Sequence, residues 1–411
     1  MKRLPVPMRG IVVVKKRSGA MKRNAWRMWM VVAVAGLCFS QSPAPSILPG
    51  SPLPGLTPAE SELFRLGLAD FSAVETPADG LGPAFNGNSC AGCHSIPAIG
   101  GFTGMTDIRV GHRDENGNFT ALHGATLYSL FSIPDQRCQV RIPPEANVIA
   151  RRAPPSMFGA GLVEAIPDST IAAQEDPDDQ DHDGVRGRVA RVLDVATNQL
   201  RVGRYVWKAQ QATLLAFSGD AYRNEMGITN DLFPDEYALG IAAEQLKLCS
   251  PTHGIEDTRS PSSGLRGIDT IEKFMKYLAP IERGPIDASV RHGEVIFRLI
   301  GCAACHTPVL MTGPSANPVF DRKPVPLYSD LLLHDVGTGD GIEQGPATGD
   351  EFRTPALWGL RFRKPLLHDG SAATLADAIR RHRREAKRST ERYAFLSSAE
   401  HTRLLAFLNS L

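Results

Sequence analysis

Two five-residue units in the chain share one pattern: Cys90-Ala91-Gly92-Cys93-His94 and Cys302-Ala303-Ala304-Cys305-His306. Two thiols three residues apart, with an imidazole directly after the second, form the spacing that attaches a c-type haem. The thiols add to the two vinyl groups of one macrocycle. The adjacent histidine then lies under the iron as its proximal ligand. Random placement of seven Cys and eleven His among 411 residues would yield only about 0.003 copies. Zinc sites also use Cys-x-x-Cys pairs, but they do not require the adjacent His. A thioredoxin-like dithiol needs a strand-to-helix setting that neither unit has. The expectation is two covalently bound haem c groups, held by Cys90, Cys93, Cys302 and Cys305, with His94 and His306 as iron ligands.

Such attachment takes place outside the cytoplasm, and the start of the chain agrees. A basic segment from Met21 to Arg27 precedes an apolar run, Met28 to Phe39, and then small and polar residues from Ser40 to Ala44. That is the order of a secretory signal peptide. The run is too short to span a bilayer. Met21 reads as the true start, with 1–20 as an extension, and Cys38 leaves with the signal. A periplasmic protein is expected, with no stable membrane span. Cys138 and Cys249 remain as either a disulfide or two buried thiols. The formal net charge of +1 argues against nucleic acid as a partner. A hydrophobic fraction of 42% allows real cores.

The elements around the two units set the domain plan. Residues 45–58 are rich in Pro, Ser and Gly and read as a linker. Helical periodicity follows from Glu60 to Phe71. A second helix-then-motif unit begins near Ala288, with Val290 to Leu299 just before Cys302. Helices are also expected over Lys208–Phe217, Thr374–Arg384 and the apolar stripe at Ser397–Leu411, and a hairpin over Arg188–Tyr205. The fold class is mainly α: two cytochrome-c-like haem domains, 59–285 and 286–411, the first carrying a loop-rich, partly β insertion. The two units repeat in chemistry and not visibly in sequence.

Longer stretches carry a resemblance. They include Gly80-Leu81-Gly82-Pro83-Ala84-Phe85-Asn86, Gly159 to Ile166, Tyr205 to Gln211 and Met226-Gly227-Ile228-Thr229. They continue with Tyr328 to Asp335, Phe352 to Leu360, Leu367-His368-Asp369-Gly370 and Phe407 to Leu411. From about residue 60 to its end the chain resembles the bacterial di-haem oxidoreductases, also labelled thiol-oxidoreductase-like, relatives of the di-haem cytochrome c peroxidases. The thiol label has no support here, because four of the six mature cysteines are taken by haem. The resemblance implies two haems facing a shared interface and reduction of peroxide or a related oxidation. It implies electrons from a small soluble cytochrome or cupredoxin, relayed through the C-terminal haem.

It also suggests roles. Where the peroxidases place a distal methionine, this chain has His382, with His368 as the rival ligand. Replacing Met by His lowers a haem potential. Glu164, after the Arg-x-Pro-Pro stretch, is the candidate acid–base group at the N-terminal haem; a carboxylate partner for Arg151 or Arg152 is the plainer reading. His112 and Met157 are alternatives for the sixth position there. Trp207 is either a core residue or a relay between the haems. Asp179, Asp181 and Asp183 with Gly184 resemble part of a calcium loop, although its twelfth position is Ala190. The cluster Arg380, Arg381, Arg383, Arg384, Lys387, Arg388 and Arg392 either neutralises haem propionates, docks an acidic donor, or is a solvated face. The alternative functions are a non-enzymatic electron carrier with both haems six-coordinate, and an oxygen-activating or protein-modifying oxidase. An open coordination site separates the enzymes from the carrier.

Overall fold

The computed structural model describes residues 47–134, 138–249 and 254–411. The expected signal region, 1–44, the choice of Met21 as start and the first two residues of the linker lie outside them. Helices dominate, with small sheets between. In chain order the helices are α1 (Pro58–Phe71), α2 (Cys90–Cys93), α3 (Ala160–Glu164), α4 (Asp168–Ala172) and α5 (Leu214–Met226). Then come α6 (Ala243–Cys249), α7 (Gly267–Tyr277), α8 (Ala288–Leu299), α9 (Leu375–Arg381), α10 (Lys387–Ala394) and α11 (Ser398–Leu408).

Local signals explain where these helices begin. Before α1, Thr57 accepts from Glu60 N while Glu60 returns a bond to Thr57 N (2.8 Å), and Pro58 starts the helix. This reciprocal capping satisfies two otherwise orphaned donors. Ser397 and Glu400 repeat the device before α11. The helix expected over Lys208–Phe217 starts later. A bridge between Tyr205 and Gln211 closes a turn, and Val206 and Ala209 take φ of 58° and 53°, which no right-handed helix permits. The helix begins only after Thr213, whose hydroxyl accepts from Ala216 N (3.2 Å). Residues 100–150, which show no clear period, fold as an antiparallel sheet. The strand Asp107–Arg113 pairs with Phe119–Thr120, Leu127–Tyr128 and Val148–Arg152. The hairpin forms as Arg191–Asp194 against Gln199–Val202. Cys138 and Cys249, 111 residues apart, form a disulfide.

The described chain makes one compact unit in which two helix pairs are built alike. α1 packs on α7, and α8 on α11. At the first crossing a Cβ on Gly67 would fall 2.1 Å from Thr270 O; at the second, one on Gly293 would fall 2.0 Å from Arg403 O. Only glycine permits that approach. Four residues beyond each glycine stands a phenylalanine. Phe71 packs on Phe274 (4.7 Å between centroids) and Phe297 on Phe407 (5.1 Å). The same two rings reach the imidazoles of the haem motifs: Phe71 to His94 at 6.1 Å and Phe297 to His306 at 6.2 Å. Each helix pair is thus the apolar backing of one histidine.

Candidate cofactor sites

Each Cys-x-x-Cys-His unit opens on a cavity. The first, about 540 Å³, is lined by Cys90, Cys93 and His94 together with residues of α5, α7 and the 107–127 sheet. The second, about 200 Å³, is lined by Cys302, Cys305 and His306, the 352–368 stretch, α9 and α10. All four thiols are free. Burial pushes the Cys90 and Cys302 thiols up to about 12, so the setting suits an apolar group rather than the thiolates that zinc requires.

The imidazoles are arranged as iron ligands. His94 Nδ1 faces Gly101 O at 3.1 Å and His306 Nδ1 faces Tyr328 O at 3.0 Å. His382 Nδ1 faces Ala378 O at 2.8 Å. A backbone carbonyl on Nδ1 fixes the tautomer and leaves Nε2 as the ligand atom. Among the described residues none of the three Nε2 atoms has a hydrogen-bond partner. Burial lowers all three rings, His306 to about 4, which keeps them neutral and able to bind a metal.

Two more features of the second cavity suit a haem. Arg353 and Arg363, 7% and 9% exposed, line it. They donate only to backbone carbonyls, and neither has a carboxylate partner among the described residues. Burial lowers both to about 10. A buried cation without an anion is costly, and the propionates of a haem are the anions that fit. The residues present therefore fit two haems.

The two cavities differ in what else they hold. Among the described residues that line them, the first has one histidine, His94; the second has His306, His334, His368 and His382. His382 is near enough to His306 to depress it electrostatically. His368, the rival, instead stacks on Phe352 at 3.9 Å. Trp207 lines both cavities; its Nε1 donates to Ala153 O at 2.7 Å. Met157 lines the first cavity, 4% exposed. His112 does not: its Nδ1 lies 2.7 Å from Glu145 O.

Glu164 requires a correction. It lines neither cavity. Its Oε1 accepts from Leu214 N (2.8 Å) at the start of α5, and Oε2 lies 3.9 Å from Lys276. Burial raises its carboxyl, with Lys276 opposing. Its geometry is that of a helix-terminus partner, where a carboxylate is favourable.

Four acids line the first cavity, Asp107, Asp220, Glu225 and Glu343; the one pushed up strongly is Glu225, near the end of α5. Asn86 Nδ2 donates to its Oε2 (3.2 Å) and Arg109 lies 3.8 Å from Oε1. Its side chain is 41% exposed, and the open face is the cavity. Burial first, then Asp107, raise the carboxyl to about 7, against the pull of Arg109 and Asn86. Sequence reasoning passed over it, although it stands three residues after Tyr222 and directly before the Met226–Thr229 stretch.

The family described as "Di-haem oxidoreductase, putative peroxidase" matches residues 137–411. The chain belongs to the di-haem oxidoreductase family. It is an oxidoreductase with haem as cofactor, and the matched span contains the second Cys-x-x-Cys-His unit but not the first. No curated protein matches the chain. Solved structures similar to this family member include hydrazine synthase from Kuenenia stuttgartiensis, 17% identical, over 90% of this chain and 97% of that one, at a TM-score of 0.41. A MauG-like protein associated with microbial copper homeostasis is 17% identical over 90% and 94%, also at 0.41. The diheme peroxidase BthA from Burkholderia thailandensis is 15% identical over 89% of each chain, at 0.42.

Two other expected features have a place in the structure. The carboxylate oxygens of Asp179, Asp181 and Asp183 come within 4.8 Å of one another. They accept from their own loop at Gly184, Asp183 and Val185 N. The basic cluster stands on α9, α10 and the turn between, which wall the second cavity; Arg381, Arg384 and Lys387 are paired with Asp377, Asp335 and Glu391. No helix among the described residues is long and apolar enough to cross a membrane.

Proposed function

We propose that the protein is an exported di-haem c-type oxidoreductase that reduces hydrogen peroxide or a similar oxidant at its N-terminal site. Electrons would come from a small soluble cytochrome or cupredoxin at the C-terminal site. The observation that carries this reading is the asymmetry between the cavities. One pairs a single histidine with the half-exposed Glu225, and the other offers four imidazoles, His306 and His382 among them. The repeated glycine–phenylalanine crossing supports two cytochrome-c-like halves, 59–285 and 286–411. The disulfide supports an oxidising compartment, hence the periplasm.

Bound haem supplies one-electron redox chemistry. The chain's own residues do the rest. Glu225, with a pKa of about 7, takes a proton from one peroxide oxygen and returns it to the other, the work of a general base that becomes a general acid. Asn86 and Arg109 hold it in place. Met157 and Phe217 give the same cavity apolar walls. His94, anchored on Gly101 O, would hold the first haem. His306 and His382 would hold the second. Trp207, in the wall between the cavities, is the relay. Arg383 and Arg392, which have no ion-pair partner among the described residues, favour an acidic face on the donor. Calcium, if bound, would take Asp179, Asp181 and Asp183, which are oxygen ligands of the right kind.

The test is steady-state peroxide consumption by the haem-loaded protein with a reduced small cytochrome as donor. Turnover that falls by about 10² to 10⁴ in Glu225→Gln supports the reading. A protein that never oxidises its donor in peroxide sinks it and leaves an electron carrier.

A further inference from the structure

The stretch Tyr328 to Asp335 has so far served only to hold His306, through Tyr328 O. The same loop also grips the second attachment unit. Ser329 N donates to Thr307 O and Asp330 N to Cys305 O, both at 2.9 Å. The opposing ligand, His382, comes from a separate segment, the end of α9. Its ring is oriented by Ala378 within that helix, but nothing in α9 sets how far the helix end stands from His306.

Arg384 pairs with Asp335 across the two segments at the surface, and one buried side chain spans them beside the attachment thiol. His334 lies 2.8 Å by Nε2 from Asp330 Oδ2 and 2.8 Å by Nδ1 from Glu385 Oε2. Carboxylates only accept, so the ring donates at both nitrogens. It is 3% exposed and stands 3.7 Å from Cys305 Sγ, the thiol that would carry the haem. Both carboxylates are fixed in turn. Asp330 Oδ1 accepts from Leu332 N (2.9 Å); Glu385 accepts from Arg186 N and Asp335 N (2.8 Å each). Glu385 is three residues after His382. The strap therefore runs from the proximal loop, past the attachment thiol, to the distal segment.

We infer that Asp330, His334 and Glu385 are positioning residues that hold His382 in register with His306, closing the second site to external ligands. This rests on the reading of His306 and His382 as the ligand pair. Partners outside a ligand set commonly change metal-site behaviour 10- to 100-fold (~1–3 kcal/mol) when removed. The backbone bond from Arg383 N to Val336 O (2.7 Å) keeps the two segments joined when one side chain is lost, so single variants are expected to fold.

The experiment uses the ferric di-haem protein, its electron paramagnetic resonance spectrum, and carbon monoxide titration after full reduction. His382→Ala identifies the low-spin signal of the second site by its loss. Glu385→Ala is expected to lose that signal in part to a high-spin one and to take up a second equivalent of carbon monoxide. Glu385→Gln keeps one oxygen, enough for His334 Nδ1 and Arg186 N, while its amide nitrogen faces Asp335 N; it is expected to shift the low-spin signal less than Glu385→Ala does. A Glu385→Ala protein with unchanged low-spin signal and no added carbon monoxide uptake overturns the strap. A His382→Ala protein that keeps every low-spin signal overturns the ligand reading beneath it. Should Glu385→Ala not accumulate, Glu385→Asp, one methylene shorter, is read by the same criteria.

Discussion

Glu225 titrates where its neighbours put it, so changing those neighbours should move the pH profile of peroxide turnover. The perturbations are Asp107→Asn and Arg109→Met. Burial raises the Glu225 carboxyl to about 7, Asp107 adds to that and Arg109 opposes it. The reaction starts with the base form, so turnover should rise with pH to a plateau above about 7, and fall tenfold for each pH unit below it. At about pH 5 roughly 1% of the plateau would remain, whereas an ordinary glutamate would leave most of it. The Arg109 guanidinium lies 3.8 Å from Glu225; at an effective dielectric of about 20 that charge is worth ~4 kcal/mol at most. Asp107, bound to the same guanidinium at 2.5 Å, and the open cavity face of Glu225 reduce this to roughly one pH unit. Arg109→Met should therefore move the limb up by about a unit and Asp107→Asn should move it down. The assay is kcat/KM for peroxide across the acid and neutral range with a donor that does not titrate there. A limb that stays put in both variants, or a profile without one, refutes the role given to Glu225.

Three other outcomes follow from the geometry. Gly67→Ala or Gly293→Ala places a Cβ about 2 Å from a carbonyl of the partner helix, and should destabilise by about 1–3 kcal/mol despite better helix propensity; thermal unfolding of the haem-loaded protein reads it. Cys138→Ser opens a 111-residue loop and should cost about 2–5 kcal/mol, seen as a lower midpoint in denaturant. The mature protein's intact mass should include two haems, and Cys90→Ser with Cys93→Ser should remove one of them.

The sequence was most legible where chemistry dictates spacing. Both attachment units could be read without coordinates. So could α1 and α11, because Thr57–Glu60 and Ser397–Glu400 announce their starts. Of the two readings open for Cys138 and Cys249 the structure takes the disulfide. What escaped is set by tertiary contact. Glu164 follows a suggestive proline pair, but its oxygen is claimed by Leu214 N fifty residues later. Glu225 acquires its altered proton affinity from burial and then from Asp107, which the neighbouring sheet brings beside it. α7 was not anticipated, although Ile268, Ile271 and Met275 recur at helical spacing. The likeness of the two halves was invisible as well. It resides in one glycine, one phenylalanine and a partner ring per half, with unrelated residues between.

The proposed function requires unequal sites, one open beside Glu225 and one closed by a pairing of His306 with His382. The direct measurement is the spectrum of the one-electron-reduced protein before and after hydrogen peroxide. The account predicts a high-spin signal from the first site that peroxide abolishes within the mixing time, alongside a low-spin signal from the second site. Two low-spin haems that peroxide leaves untouched would contradict it.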